Sequence, residues 1–172
     1  GGSVHDEVGV GEDGELLVDA SADATFTRYL HRPDATAEKL VDGWYRTGDI
    51  AVKRPDGDLD VKGRVDDMII SGGENIYPEE VEALLVKHAA VAECSVVGIP
   101  DEQWGEVVVA CVVSADGTAD RDALDAYLRA SRLANYKRPR LYSFVDELPK
   151  NAAGKVLRRL LRESAAGPTD QT

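Results

Sequence analysis

Two apolar runs, VAECSVVGI (residues 91–99) and GEVVVACVV (105–113), constrain the fold of this chain more than any other feature. A strand with one wet face alternates apolar and polar residues. These runs are nearly continuous, which demands cover on both faces. Both read as central strands, joined by a loop that holds Pro100, Asp101 and Trp104. Helical patterns stand on either side. YPEEVEALLVKH places Val81, Leu84, Leu85 and His88 on one face, with Pro78 suited to the first turn and Glu79 and Glu80 to the positive end of the dipole. Asp120 reads as the N-cap of a helix bearing Leu124, Tyr127 and Leu128. KVLRRLLRE brings Leu157, Leu160 and Leu161 together. MIIS (68–71) and RLYSFV (140–145) read as further strands. From residue 68 onward the order is β-α-β-β-α-β-α, which predicts an α+β domain: a small mixed β-sheet with packed helices.

The stretch before it is β-rich and separate. GELLV (14–18) reads as a strand, RPDATAEKL (32–40) as a turn and short helix, and residues 49–64 as a hairpin. Asp56-Gly57 makes its turn, and Leu59 and Val61 alternate after it. The last residues, 165–172, are small and polar and read as a disordered tail.

The chain has 172 residues and a net charge of −12, unevenly spread. Residues 121–163 hold eleven Lys or Arg and five Asp or Glu. A basic patch on an acidic body excludes wholesale nucleic-acid binding and suits a small polyanion such as a nucleotide or coenzyme. Cys94 and Cys111 sit inside strand-like runs without a metal-ligand neighbour, so they read as buried, reduced thiols and no metal site is expected. No apolar run is long enough to span a bilayer, and a cytoplasmic location is the default.

Four short motifs carry chemistry. In YRTGD, Asp49 precedes a strand, where a carboxylate can accept from both hydroxyls of a ribose; it is equally suited to holding a turn. In GRVDD, Arg64 offers a planar fork of donors, or is a surface arginine, and Asp66 and Asp67 fall where the pattern changes. In SGGEN, Gly72 and Gly73 let a ligand approach bare backbone, or make an ordinary turn before Glu74. LPKNAAGKVLRR sets Lys155 on a glycine-containing loop that opens a basic helix. Its long stem can reach a phosphate, although no Gly-rich phosphate loop precedes it.

Taken in order, YRTGD, GRVDDMIISGGENIYPEEVE and LPKNAAGKVLRR resemble the C-terminal part of the adenylate-forming enzymes. That group holds the acyl- and aryl-CoA ligases, the luciferases and the peptide-synthetase adenylation domains. FTRYLHRPDATAEKLVDGWYRTGD resembles the family's segment leading into its ribose-binding Asp, and DEQWGEVVVACVV and RASRLANYKRPR extend the likeness toward 4-chlorobenzoate and fatty-acid CoA ligases. The resemblance implies two half-reactions: a carboxylic acid attacks ATP to give an acyl-adenylate and pyrophosphate, then a thiol takes the acyl group and AMP leaves. It implies that residues 1–64 end a large N-terminal domain, 65–67 form a hinge and 68–164 form a lid that swings between two poses. By the same likeness Asp49 and Arg64 contact the nucleotide, Asp66 is the hinge and Lys155 bridges carboxylate and phosphate during adenylation. Gly72, Gly73 and Glu74 line a thiol tunnel. Trp104 packs near the pantetheine arm, Tyr136 stacks on the adenine of CoA, and Arg138, with Arg132, Lys137 or Arg140, binds its phosphates. ATP with Mg²⁺ and CoA are the implied co-substrates, the Mg²⁺ sites lying in the large domain. The chain's partners are then that domain, the acid and CoA. Alone, the fragment is expected to be inactive. Two other readings stay open: loading of a carrier protein's phosphopantetheine, and a non-catalytic binding module.

Overall fold

The computed structural model describes residues 3–22 and 27–166. The chain divides into two compact units between Asp66 and Asp67. No helix among the described residues is long and apolar enough to cross a membrane.

The first unit is a four-stranded antiparallel sheet with one short helix. Strand β1 (Asp13–Asp19) and the two-residue β2 (Leu40–Val41) flank the long β3 (Trp44–Lys53), which also pairs with β4 (Leu59–Arg64). Helix α1 (Pro33–Lys39) starts on its proline. The β3–β4 hairpin turns at Asp56-Gly57 as the sequence predicts: Gly57 has φ +92° and donates to the Arg54 carbonyl at 3.0 Å. Its alternation has a different outcome. Leu59 and Val61 are 50% and 63% exposed, and Ala51 is the one buried hydrophobic residue among those described in this unit. A sheet with so little buried apolar surface lacks the driving force to be stable alone.

The second unit has a real core. A 3₁₀ turn (Val65–Asp67) leads into β5 (Ile69–Ser71) and β6 (Glu74–Ile76), followed by α2 (Pro78–Leu85), β7 (Val91–Asp101), β8 (Gly105–Ser114), α3 (Arg121–Ala130), β9 (Leu141–Phe144) and α4 (Arg158–Ala165). The sheet order is β6-β5-β8-β7, with β9 also on β8; all pairings are antiparallel except β8–β9, so the sheet is mixed. Alternate residues of β7 and β8 point into two cores. Val96, Val108, Ala110 and Val112 meet Val81, Leu85, Leu124 and Leu128 from α2 and α3. Val97, Ile99, Val107, Val109 and Cys111 meet Leu161 and Ala165 of α4. Asp120 caps α3 by accepting from the Ala123 amide. Leu128 is fully buried. Leu128→Ala is therefore expected to destabilise this unit by about 2–5 kcal/mol, whereas Leu157→Ala, at a 36% exposed position, should be close to neutral. Denaturant midpoints of the two variants check this.

Four expectations are corrected. The long apolar run of β7 does not mark a central strand: β7 is an edge, buried because helices cover both its faces. The Glu82 carboxylate of α2 also accepts from the Val96 amide at 2.7 Å, which closes part of the open edge. Between β5 and α2 stands an additional strand, β6, so the order begins β-β-α. Helix α2 ends at Leu85, leaving His88 beyond it, with its ring edge-on to Tyr127 at 5.1 Å. Ala165, placed in the tail by its composition, is the last residue of α4 and is buried; residues 167–172 lie outside the described residues.

Candidate functional site

In the first unit, Asp49 and Arg64 are directly opposite each other on β3 and β4. The antiparallel register brings Arg64 Nη1 to 2.8 Å from Asp49 Oδ1. Arg64 Nη2 also donates to the Thr47 carbonyl at 3.2 Å, lying across Gly48. Gly48 has φ +78° where β3 breaks register with β1, and a Cβ there would stand 2.8 Å from Nη2, so both the strand's irregular backbone and the arginine's path need glycine. Asp49 lies within β3 and does not precede a strand; Thr47 Oγ1 donates to the Leu16 carbonyl and accepts from the Asp49 amide, bracing the irregular middle of that strand. Both charged side chains remain about one-third exposed, at 34% and 37%. A carboxylate held this way keeps lone pairs for a vicinal diol, and its arginine keeps donors for an anionic oxygen. Asp66 lies in the 3₁₀ turn at the end of this unit.

In the second unit, Lys155 stands on a loop that is braced by its own backbone. Asn151 Oδ1 accepts from the amides of Ala153 and Lys155, at 3.0 and 2.9 Å. The Asn151 amide donates to the Lys155 carbonyl, and Gly154, at φ +80°, closes the turn. A bridge between Lys150 and Val156 and a bond from the Leu157 amide to the Pro149 carbonyl seal the base. The lysine therefore does not open the helix; α4 begins three residues later, at Arg158. Lys155 is exposed, and among the described residues its amine makes no ion pair. Its neighbours differ: Lys150 pairs with Glu93 at 2.7 Å and Lys137 with Glu80 at 2.5 Å. The loop thus presents one cation rigidly from its backbone and uncommitted at its tip.

A second group forms at the β5–β6 turn. Gly72 and Gly73 have φ +61° and +85° between paired Ser71 and Glu74, which is a two-residue hairpin of the mirror-image type. A Gly-Gly pair between strands is a recognised signal for that turn; the sequence reading allowed a turn here but placed no strand after it. The Gly72 amide donates to the Trp104 carbonyl at 2.9 Å, and a Cβ on Gly72 would meet the indole at 3.2 Å. Asp101 sets the indole by accepting from the Gln103 and Trp104 amides. The Arg140 guanidinium lies over that indole, 4.0 Å from its centroid. Gly72, Trp104 and Arg140 therefore form one stack, with an exposed arginine at its outer end. Glu74 is exposed at the start of β6.

Arg138, the leading phosphate-binding candidate of the sequence, has a different setting. Its side chain is 19% exposed and ion-paired with Asp125 of α3. Tyr136 is 47% exposed, with Lys137 over its ring at 5.8 Å. Tyr142, beside Asp125, has its phenol pushed up to about 12 by burial and then by that carboxylate. Burial raises the thiols as well, Cys94 to about 12 and Cys111 to about 11, so neither is a nucleophile near neutral pH.

The sequence reading also missed a partly buried ionic cluster. Glu82 of α2 accepts from the Val96 amide and from Ser95, and takes both oxygens to Arg158 Nη2 at 2.9 Å. Burial works against the Arg158 charge, but Glu82, Glu79 and Asp67 more than offset it, and its pKa stands above the ordinary arginine value. Its partners lie 76 and 91 residues away in the chain, so no local spacing signals them.

Residues 80–155, most of the second unit, match the AMP-binding enzyme C-terminal domain. Over most of its length the chain is similar to the C-terminal part of adenylate-forming, AMP-binding enzymes. It is 57% identical over 153 residues to a 4-chlorobenzoate–CoA ligase of Arthrobacter sp, an overlap covering 89% of this chain and 29% of that one. It is similar in structure to the o-succinylbenzoate CoA synthetase of Bacillus subtilis in complex with its acyl-adenylate intermediate. There the TM-score is 0.83 at 39% identity, covering 90% of this chain and 31% of that one. It is also similar to the amide bond synthetase McbA of Marinactinospora thermotolerans, with TM-score 0.79 at 36% identity and coverage of 91% and 32%. The chain spans less than a third of the length of these relatives.

Proposed function

We propose that this chain is the lid, together with the last strands of the preceding domain, of an AMP-forming carboxylic acid:CoA ligase. The observation that carries the reading is the Lys155 loop: a braced backbone presenting an exposed amine without an ion pair among the described residues. A cation so placed is suited to the point where a carboxylate meets the α-phosphate of ATP and negative charge gathers. Asp49 would hold the ribose hydroxyls and Arg64 a neighbouring oxygen. Rotation about Asp66 would then exchange the Lys155 loop for the Gly72–Gly73 turn, whose glycines and exposed Glu74 border the thiol's path. The stack of Trp104 and Arg140 supports free CoA as acceptor, since an exposed guanidinium beside an aromatic face suits the nucleotide phosphates that a carrier-bound arm lacks. Tyr136 offers a further exposed ring for the adenine. Arg138 supports that surface through Asp125, and Arg140 replaces it as the leading phosphate contact. Mg²⁺ would accompany ATP in the large domain. The near-absence of a core in the first unit supports its belonging to that larger domain, and alone the chain would not turn over.

The test is made in the full-length enzyme that carries this chain. It is mixed with ATP and a panel of aromatic and aliphatic carboxylic acids, with CoA, with an amine or with neither. Acid-dependent pyrophosphate release without CoA, and AMP turnover only with CoA, is the expected result. Turnover with the amine alone would replace the acceptor. No acid-dependent release from any substrate would overturn the ligase reading.

A further inference from the structure

Arg158 is the first residue of α4, and its side chain is 17% exposed. Nη1 lies 3.0 Å from Asp67 and 3.2 Å from Glu79, while Nη2 takes both oxygens of Glu82. Arg162, one turn on, stands 3.6 Å from the other Asp67 oxygen. The neighbouring Arg159 is a foil: it is 76% exposed and pairs with Glu163 at the surface. Two atoms of the cluster, Glu79 Oε2 and Arg158 Nε, are buried without a hydrogen-bond partner among the described residues. A partly buried ionic group with unpaired atoms is a weak device for stability, because desolvation offsets much of its attraction and well-packed apolar residues serve that end as well.

Its placement points elsewhere. Asp67 is the residue at which the second unit begins, directly after Asp66. Arg158 follows the sealed base of the Lys155 loop by one residue. A single planar guanidinium thus ties the chain's entry into this unit to the element that carries the lysine. Its two-sided fork holds direction as well as distance. We propose that Arg158 and Asp67 are a positioning pair, which makes rotation at Asp66 move the Lys155 loop as one rigid piece. Without the tie, Asp67 and the 3₁₀ turn absorb part of the rotation and the lysine stops short of its target. The inference rests on the ligase reading and on the role it gives Lys155.

The test uses the full-length enzyme with Arg158→Gln, Asp67→Asn, the double variant, Arg159→Gln and Lys155→Ala. Rates are taken per folded molecule. Each of the first two should lower kcat for adenylation about ten- to hundredfold, the cost of a misplacement on the order of 1 Å. KM for ATP should hold, because most ATP contacts lie in the large domain. The double variant should be no slower than the slower single, and Arg159→Gln should match the parent. If Arg158→Gln does not fold, Asp67→Asn carries the test, since Arg158 keeps both glutamates. Variants that lose melting temperature but keep kcat per folded molecule would overturn the proposal, as would multiplicative losses in the double variant. Lys155→Ala separates the two readings. If it abolishes adenylation while the Arg158 and Asp67 variants run normally, only the positioning role fails. If it leaves adenylation intact, both fail.

Discussion

Lys155→Ala in the full-length enzyme should slow acyl-adenylate formation by about 10²–10³-fold, the usual cost of removing one preorganised charge from a transition state. Thioester formation from a preformed acyl-adenylate should be nearly unchanged. The structure makes the variant clean. The loop is shaped by Asn151, Gly154 and backbone bonds, and the lysine contributes its amide and carbonyl, not its side chain. Deleting the side chain removes charge and leaves the brace. Pyrophosphate release measured against thioester formation from synthetic adenylate gives the two rates separately. Equal losses in both would place Lys155 outside the first half-reaction.

Gly72→Val should give the reverse pattern. At φ +61° a β-branched residue is strained by roughly 1–3 kcal/mol, and its Cβ would press on the Trp104 indole from 3.2 Å. The stack with Arg140 would shift, and the thioester step should fall about ten- to hundredfold, while adenylation changes little. Gly73→Ala isolates the cause. It carries the same kind of backbone strain at φ +85°, but nothing lies within 4 Å of the added Cβ. If both variants damage the thioester step equally, the turn's backbone matters and the indole does not. If Gly72→Val lowers both half-reactions in proportion to lost melting temperature, the turn has no special part in the second.

Reciprocal losses from two sites in one small unit are the signature of a lid with two working faces. A static binding module with these same residues would show neither.

Much of this was legible from local pattern. The helix over Pro78–Leu85, the Asp120 cap and the Asp56-Gly57 turn follow from backbone and side-chain preferences acting over a few residues. The continuous apolar runs declared two covered faces, and the odd and even residues of β7 and β8 do feed two cores. The four motifs singled out Asp49, Arg64, Gly72, Gly73 and Lys155 from short spacings alone. Local pattern did not say that β7 is an edge, because helices can bury a strand's faces while its hydrogen-bonding side stays open, and hydropathy reports the faces alone. It favoured Arg138 over Arg140 and had no means to rank them, because arginines two residues apart carry equal charge in a sequence. Only packing decides that one meets Asp125 and the other Trp104. Nor did it show that Asp67, Glu79, Glu82 and Arg158 meet, since side chains so far apart in the chain are brought together by the tertiary fold alone.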